Sequence, residues 1–197
     1  MRATIVTVFA SVVGSLASLA LATSFAIVEP SEAGYRVRER LGGVPFPSDT
    51  TGATSAVRGR FEFAADGTLV DGSLATVELA ALVSNQPRRD AYVREVVFDT
   101  DRFPEAVFRP TRVRGVPWPP PEQGAFDVAI EGELLLREHA FPVTWRGQVA
   151  FDAQGAWLEV STRFDFDEAD LVAPRLGVFI TVEDEITLEA RVRLERR

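Results

Sequence analysis

From Tyr35 onward apolar and polar residues alternate with period two, and a chain patterned this way lies as strands whose successive side chains point to opposite faces. Val57, Phe61 and Phe63 alternate with Arg58, Arg60 and Glu62. Phe126, Val128, Ile130, Leu134 and Leu136 alternate with Asp127, Glu131, Glu133 and Arg137. The same pattern puts Val143, Trp145, Val149 and Phe151 on one face against Thr144, Arg146 and Gln148. Leu158, Val160, Phe164 and Phe166 oppose Glu159, Ser161, Arg163 and Asp165, and Ile186, Leu188, Val192 and Leu194 oppose Thr187, Glu189, Arg191 and Arg193. Asp66-Gly67, Asp71-Gly72 and Gln154-Gly155 punctuate these runs as hairpin turns do. About eight strands with one apolar face each can cover that face by closing into a barrel or by stacking as a sandwich, and the meandering order favours the barrel. A membrane-spanning barrel is excluded, because the face that would meet lipid carries Arg, Glu and Asp.

Ahead of this pattern, Met1-Arg2 is followed by an uncharged run from Ala3 to Val28, before Glu29 and Glu32 restore polarity. A positive flank, an apolar stretch and small residues at Ala20-Leu21-Ala22 or Ser24-Phe25-Ala26 have the form of a secretory signal with a cleavage site. The run is also long enough, at about 1.5 Å per residue, to cross a hydrocarbon core of roughly 30 Å as an uncleaved anchor. Both readings divide the chain into residues 1–28, a signal peptide or anchor, and residues 33–197, the barrel. Both also place the barrel outside the cytoplasmic membrane, periplasmic, secreted or tethered to its outer face, because Arg2 is the only charge on the inner flank. An uncleaved segment would keep the protein in contact with the membrane.

The 197 residues suit one such domain. A net charge of -8, with every basic residue an arginine, argues against a grip on nucleic-acid phosphates. The absence of cysteine excludes disulfides, thiolate metal sites and cysteine nucleophiles together. The single histidine, His139, rules out a multi-histidine metal site and reads as a turn residue. The acidic cluster Asp165, Asp167, Glu168 and Asp170 lacks the glycine and terminal glutamate of a calcium loop, and Glu183-Asp184-Glu185 reads as surface. Neither a metal nor a cofactor is expected.

Two segments break the alternation. Between Gln86 and Phe98, Asp90 followed by Ala91-Tyr92-Val93-Arg94-Glu95-Val96-Val97 predicts a short helix capped by the Asp90 carboxylate and lying over one barrel end. Pro117-Trp118-Pro119-Pro120-Pro121 cannot donate ladder hydrogen bonds at its prolines and predicts a stiff loop.

The order of several short motifs is similar to that of a known family. Tyr35-Arg36-Val37 opens the domain, Asp66-Gly67 sits in the early hairpin, and Arg89-Asp90 precedes the short helix. Asp101-Arg102-Phe103-Pro104-Glu105-Ala106-Val107-Phe108, Gly132-Glu133-Leu134, Pro142-Val143-Thr144-Trp145 and Val182-Glu183-Asp184-Glu185-Ile186-Thr187-Leu188-Glu189 follow in turn. Over Tyr35 to Leu194 the chain resembles the YceI-like proteins, lipocalin-like barrels that bind polyisoprenoids. The resemblance implies an eight-stranded antiparallel barrel with an apolar tunnel. The chain departs from the family at Glu138-His139-Ala140, where a turn glycine is missing, and at Glu168-Ala169-Asp170, in place of an Asp-Phe-Gly.

The aromatic residues Phe61, Phe63, Phe126, Trp145, Phe151, Phe164 and Phe166 share the inner face and are the candidates for contact with a ligand, or for plain core packing. Arg89 and Asp90 are candidates for a head group at the barrel mouth. No Gly-x-Ser-x-Gly elbow, phosphate loop or metal spacing points to catalysis, and no catalytic residue is assigned. The expected function is carriage or sequestration of a long apolar ligand: a polyisoprenoid, an isoprenoid quinone or a fatty-chain amphiphile. The alternative is a filled barrel acting as a structural or regulatory partner of a membrane protein.

Overall fold

The computed structural model describes residues 23–42, 46–176 and 180–197. Its strands are β1 (Thr23–Leu41), β2 (Ser48–Thr54), β3 (Val57–Phe63), β4 (Leu74–Glu78), β5 (Glu105–Arg114), β6 (Gly124–Leu136), β7 (His139–Asp152), β8 (Gly155–Phe164), β9 (Arg175–Leu176) and β10 (Ile180–Arg196). β1 pairs with both β2 and β3, β3 to β8 pair in turn, β8 pairs with β10, and β10 returns to β1 to close the sheet, every pairing antiparallel. The ring is an eight-stranded antiparallel barrel. β2 and β3 occupy one position beside β1, where Ala33 pairs with Thr54 and Ala26 with Arg60, while β9 is a two-residue extension beside β10.

Closure of β10 on β1 removes the long exposed edges that a meander would otherwise leave, while the outer edge of β2 meets only an isolated bridge from Ala53 to Val83 among the described residues. Parity then decides what is buried: on β8, Leu158, Val160 and Phe164 point inward while Glu159, Ser161 and Arg163 face solvent. The outer face is tied by cross-strand ion pairs such as Arg191–Glu159 at 2.9 Å and Arg114–Glu131 at 2.8 Å. Gly132 occupies an inward position on β6 because a Cβ there would lie 2.6 Å from the Phe108 ring. The turn glycines expected at Gly67, Gly72 and Gly155 all adopt positive φ.

The strand β1 begins at Thr23, within the segment 1–28 set apart in the sequence, so that Thr23–Val28 are strand residues. Phe25, only 5% exposed, is buried inside the barrel and pairs with Phe61. A bulge between Val28 and Glu32 then bends β1, and Ser31 pins it by donating to the Val28 carbonyl and accepting from the Arg193 N–H. The apolar residues Ala3–Ala22 lie outside the described residues. No helix among the described residues is long and apolar enough to cross a membrane.

The short helix α1 spans Pro87–Tyr92 and widens into a π turn over Val93–Phe98. Its N-cap is Gln86 and not Asp90, because proline at the first helical position sets the start earlier. Finally, the β6–β7 hairpin forms without the missing glycine, since Arg137 itself takes the left-handed conformation at φ 54. Asp170 does the same at φ 52, where the chain departs from the Asp-Phe-Gly pattern.

Candidate functional site

Inside the barrel lies a cavity of ≈ 170 Å³ whose walls are almost wholly apolar. Ile27, Val37, Ala106, Leu134, Leu158 and Val192 contribute to it from strands all around the ring. The interior of an eight-stranded barrel has room for packed side chains or one slender ligand, and here the packing is incomplete along the axis.

One end is sealed. Phe25, Phe63, Phe126 and Phe151 form a connected aromatic cluster, with centroid separations of 6.2 Å for Phe25–Phe63, 6.4 Å for Phe25–Phe151 and 6.2 Å for Phe126–Phe151. Trp118 of the proline loop caps the cluster from outside. The expected aromatic set therefore divides: Phe61, Trp145, Phe164 and Phe166 line the cavity, whereas Phe63, Phe126 and Phe151 do not and instead build its floor. Phe166 lies beyond the end of β8, yet it is buried and held by its N–H to the Asp184 carboxylate.

At the opposite end, the segment between β4 and β5 covers the barrel, and Leu79, Leu82, Tyr92, Val93, Val97 and Phe98 extend the apolar wall upward. Tyr35, Glu39, Thr50, Arg89 and Tyr92 bring polar groups to the wall at this end. Arg89 lines the cavity and forms an ion pair with Glu39, Nε to Oε1 at 3.3 Å and Nη2 to Oε2 at 3.4 Å. Asp90 does not line it; its carboxylate turns back to accept from the Ser84 N–H and hydroxyl. Tyr35 lies beside them, and burial is the main cause that raises its phenol above the ordinary 10.0. The nearby carboxylates of Asp90 and Glu39 add to that rise, while Arg89 opposes it.

Midway down, Trp145 packs edge-on against Phe108 with centroids 6.0 Å apart. Its indole N–H is buried with no hydrogen-bond partner, an omission that costs about 1–3 kcal/mol.

Residues 28–194 match the family model of the YceI-like domain. The chain belongs to the YceI-like family. A polyisoprenoid-binding domain from Saccharophagus degradans is similar in structure at TM-score 0.64 and 11% identity, with 89% of this chain and 98% of that one covered. Burkholderia cenocepacia BcnA is similar at TM-score 0.59 and 16% identity, over 82% of this chain and 94% of that one. The YceI protein of Campylobacter jejuni is similar at TM-score 0.53 and 12% identity, over 74% of this chain and 84% of that one. At these identities the structures establish a shared barrel. No curated protein matches the sequence significantly.

One residue of this YceI-like cavity escapes a reading of apolar periodicity. Glu39 follows Ala33, Tyr35 and Val37 at inward parity on β1, and all four line the cavity. The signal was present as a charge on the apolar face, between the outward Arg38 and Arg40.

Proposed function

We propose that the barrel binds one long apolar chain, a polyisoprenoid, isoprenoid quinone or fatty-chain amphiphile, and carries or sequesters it without chemical conversion. The observation that carries this reading is the apolar cavity itself, closed below by aromatics and edged at the helix end with polar groups from Tyr35, Glu39, Thr50, Arg89 and Tyr92. Burial supplies the affinity: each CH2 removed from water contributes about 0.8 kcal/mol, so several isoprene units offset the cost of ordering a flexible chain. The unfilled space favours this over a barrel whose side chains pack end to end.

Two further features support it. The exposed residues Phe46, Val83, Val96 and Val172 sit on connections at the helix end, where a lipid would enter from a bilayer. The structurally similar Saccharophagus degradans domain is described as polyisoprenoid-binding. The proposed location is outside the cytoplasmic membrane, supported by the uncharged run Ala3–Ala22 that precedes β1. Fractionation of cells expressing a C-terminal reporter fusion tests that location, and a reporter active only in the cytoplasm rejects it.

Blocking the cavity tests the binding reading. Ala106 lines the cavity, so Ala106→Phe should fill it and abolish uptake of a C20 isoprenoid alcohol while the circular dichroism stays that of the wild type. Uptake equal to wild type in a folded Ala106→Phe protein would place the ligand elsewhere.

A further inference from the structure

The charged residues lining the cavity, among those described, are Glu39, Arg89 and Glu189. Glu189 is engaged on the outer face by Arg36 at 2.7 Å. Arg89 is therefore the one described cation on the cavity wall, and every nitrogen of its guanidinium is already occupied. Nε and Nη2 meet the two Glu39 oxygens at 3.3 Å and 3.4 Å, and Nη1 donates to Asn85 at 3.0 Å and Ser84 at 3.4 Å. The Arg89 and Glu39 side chains are 23% and 12% exposed, and no other described ion pair has both partners so buried. With its Nε–Nη2 edge facing a carboxylate and Nη1 donating twice, this arginine offers no paired N–H edge to a phosphate, which would also have to approach the Glu39 charge at close range.

A carboxylate at an inward strand position is unfavourable unless it is paired, so Glu39 demands an explanation. We propose that Glu39 sets the head-group preference of the cavity: by occupying Arg89 it admits an uncharged, hydrogen-bonding head such as an alcohol, phenol or quinone and rejects a phosphate or diphosphate. This rests on the apolar-chain reading above and goes beyond it by naming the head group and the residue that selects it. Neutral partners for such a head stand at the same end. Tyr35, Thr50 and Tyr92 all line the cavity, and the Tyr35 phenol keeps its proton well into the alkaline range.

Geranylgeraniol and geranylgeranyl diphosphate present one C20 chain with two heads, and their dissociation constants for the full-length protein, purified and stripped of lipid, test the proposal. The diphosphate should bind at least about tenfold more weakly than the alcohol. Glu39→Gln should free Arg89 and shift the ratio of the two affinities toward the diphosphate by about tenfold. Adding Arg89→Gln to Glu39→Gln should abolish that shift, an outcome that a purely structural role for the pair does not produce. Equal binding of the two ligands by wild-type protein overturns the head-group proposal even if the variants fail to fold, as does an unmoved ratio in a folded Glu39→Gln protein. Binding of neither ligand rejects the apolar-chain reading itself.

Discussion

Trp118 lies against Phe63 with ring centroids 5.2 Å apart, and its indole N–H donates to the Ala65 carbonyl at 2.7 Å. The proline-rich loop that seemed only a connector in the sequence thus acts as the outer plug of the barrel floor. Trp118→Ala removes one aromatic pair and one hydrogen bond, contributions of about 0.5–1.5 kcal/mol each. Chemical denaturation should show a loss of about 1–3 kcal/mol. A variant as stable as wild type would mean that the floor is sealed by the phenylalanines alone.

The inward and outward assignment on β8 is tested by neighbouring residues. Phe164 is 5% exposed and packs on Phe141 at 5.0 Å, so Phe164→Asp buries a carboxylate without a partner and should cost about 4 kcal/mol or more. Arg163 is exposed and paired only with Glu185, so Arg163→Gln should cost no more than about 1 kcal/mol. Equal losses in the two variants would show the register to be wrong.

Alternation made the strands legible because it encodes which face a side chain takes. β3 runs over Val57–Phe63, the segment whose pattern defines it, and β6, β7, β8 and β10 hold the apolar residues of the other alternating runs except Phe166, which lies past the end of β8. Alternation does not encode depth along the barrel axis, which is why Phe63 and Phe151 share a parity with Phe61 and Trp145 yet form the floor. The start of β1 was hidden for a different reason. Thr23–Val28 is uncharged, as both a membrane-directed run and a barrel wall can be, and only its pairing with β3 and β10 separates the two. An aspartate ahead of a helical run has the form of a cap, and Asp90 does satisfy a backbone N–H, but that of Ser84, upstream of the helix.

Acid should loosen the floor end of the barrel. The Asp152 carboxyl is lowered to about 2, chiefly by hydrogen bonds from Arg193 and then by the Gln154 N–H. A depressed acid stabilises the fold above its unfolded value of 3.8, and that contribution is lost as pH falls through about 2. The melting temperatures of wild type and Asp152→Asn should therefore differ at about pH 6 and converge near the folded value. A difference that persists at the lowest pH would assign the effect to packing and not to charge.

Base should act at the other end. The Tyr35 phenol is raised above 10.0, so its neutral form is favoured in the folded protein and stability declines as pH climbs past that value. Ultraviolet titration of the native protein should show a late phenol ionisation that Tyr35→Phe removes. A titration unchanged by Tyr35→Phe in its late part would mean that Tyr35 is not buried at the mouth.

Solvent extraction of the purified protein, followed by mass spectrometry, reads the content of the barrel directly. The account predicts a long-chain lipid with an uncharged head, recovered at close to one molecule per barrel. Its removal should lower the melting temperature and its return restore it, since a ligand present at a hundred times its dissociation constant stabilises the folded state by about 2.7 kcal/mol. Extracts free of lipid, together with a melting temperature unmoved by added isoprenoid or fatty chains, would contradict the claim that the cavity exists to hold one.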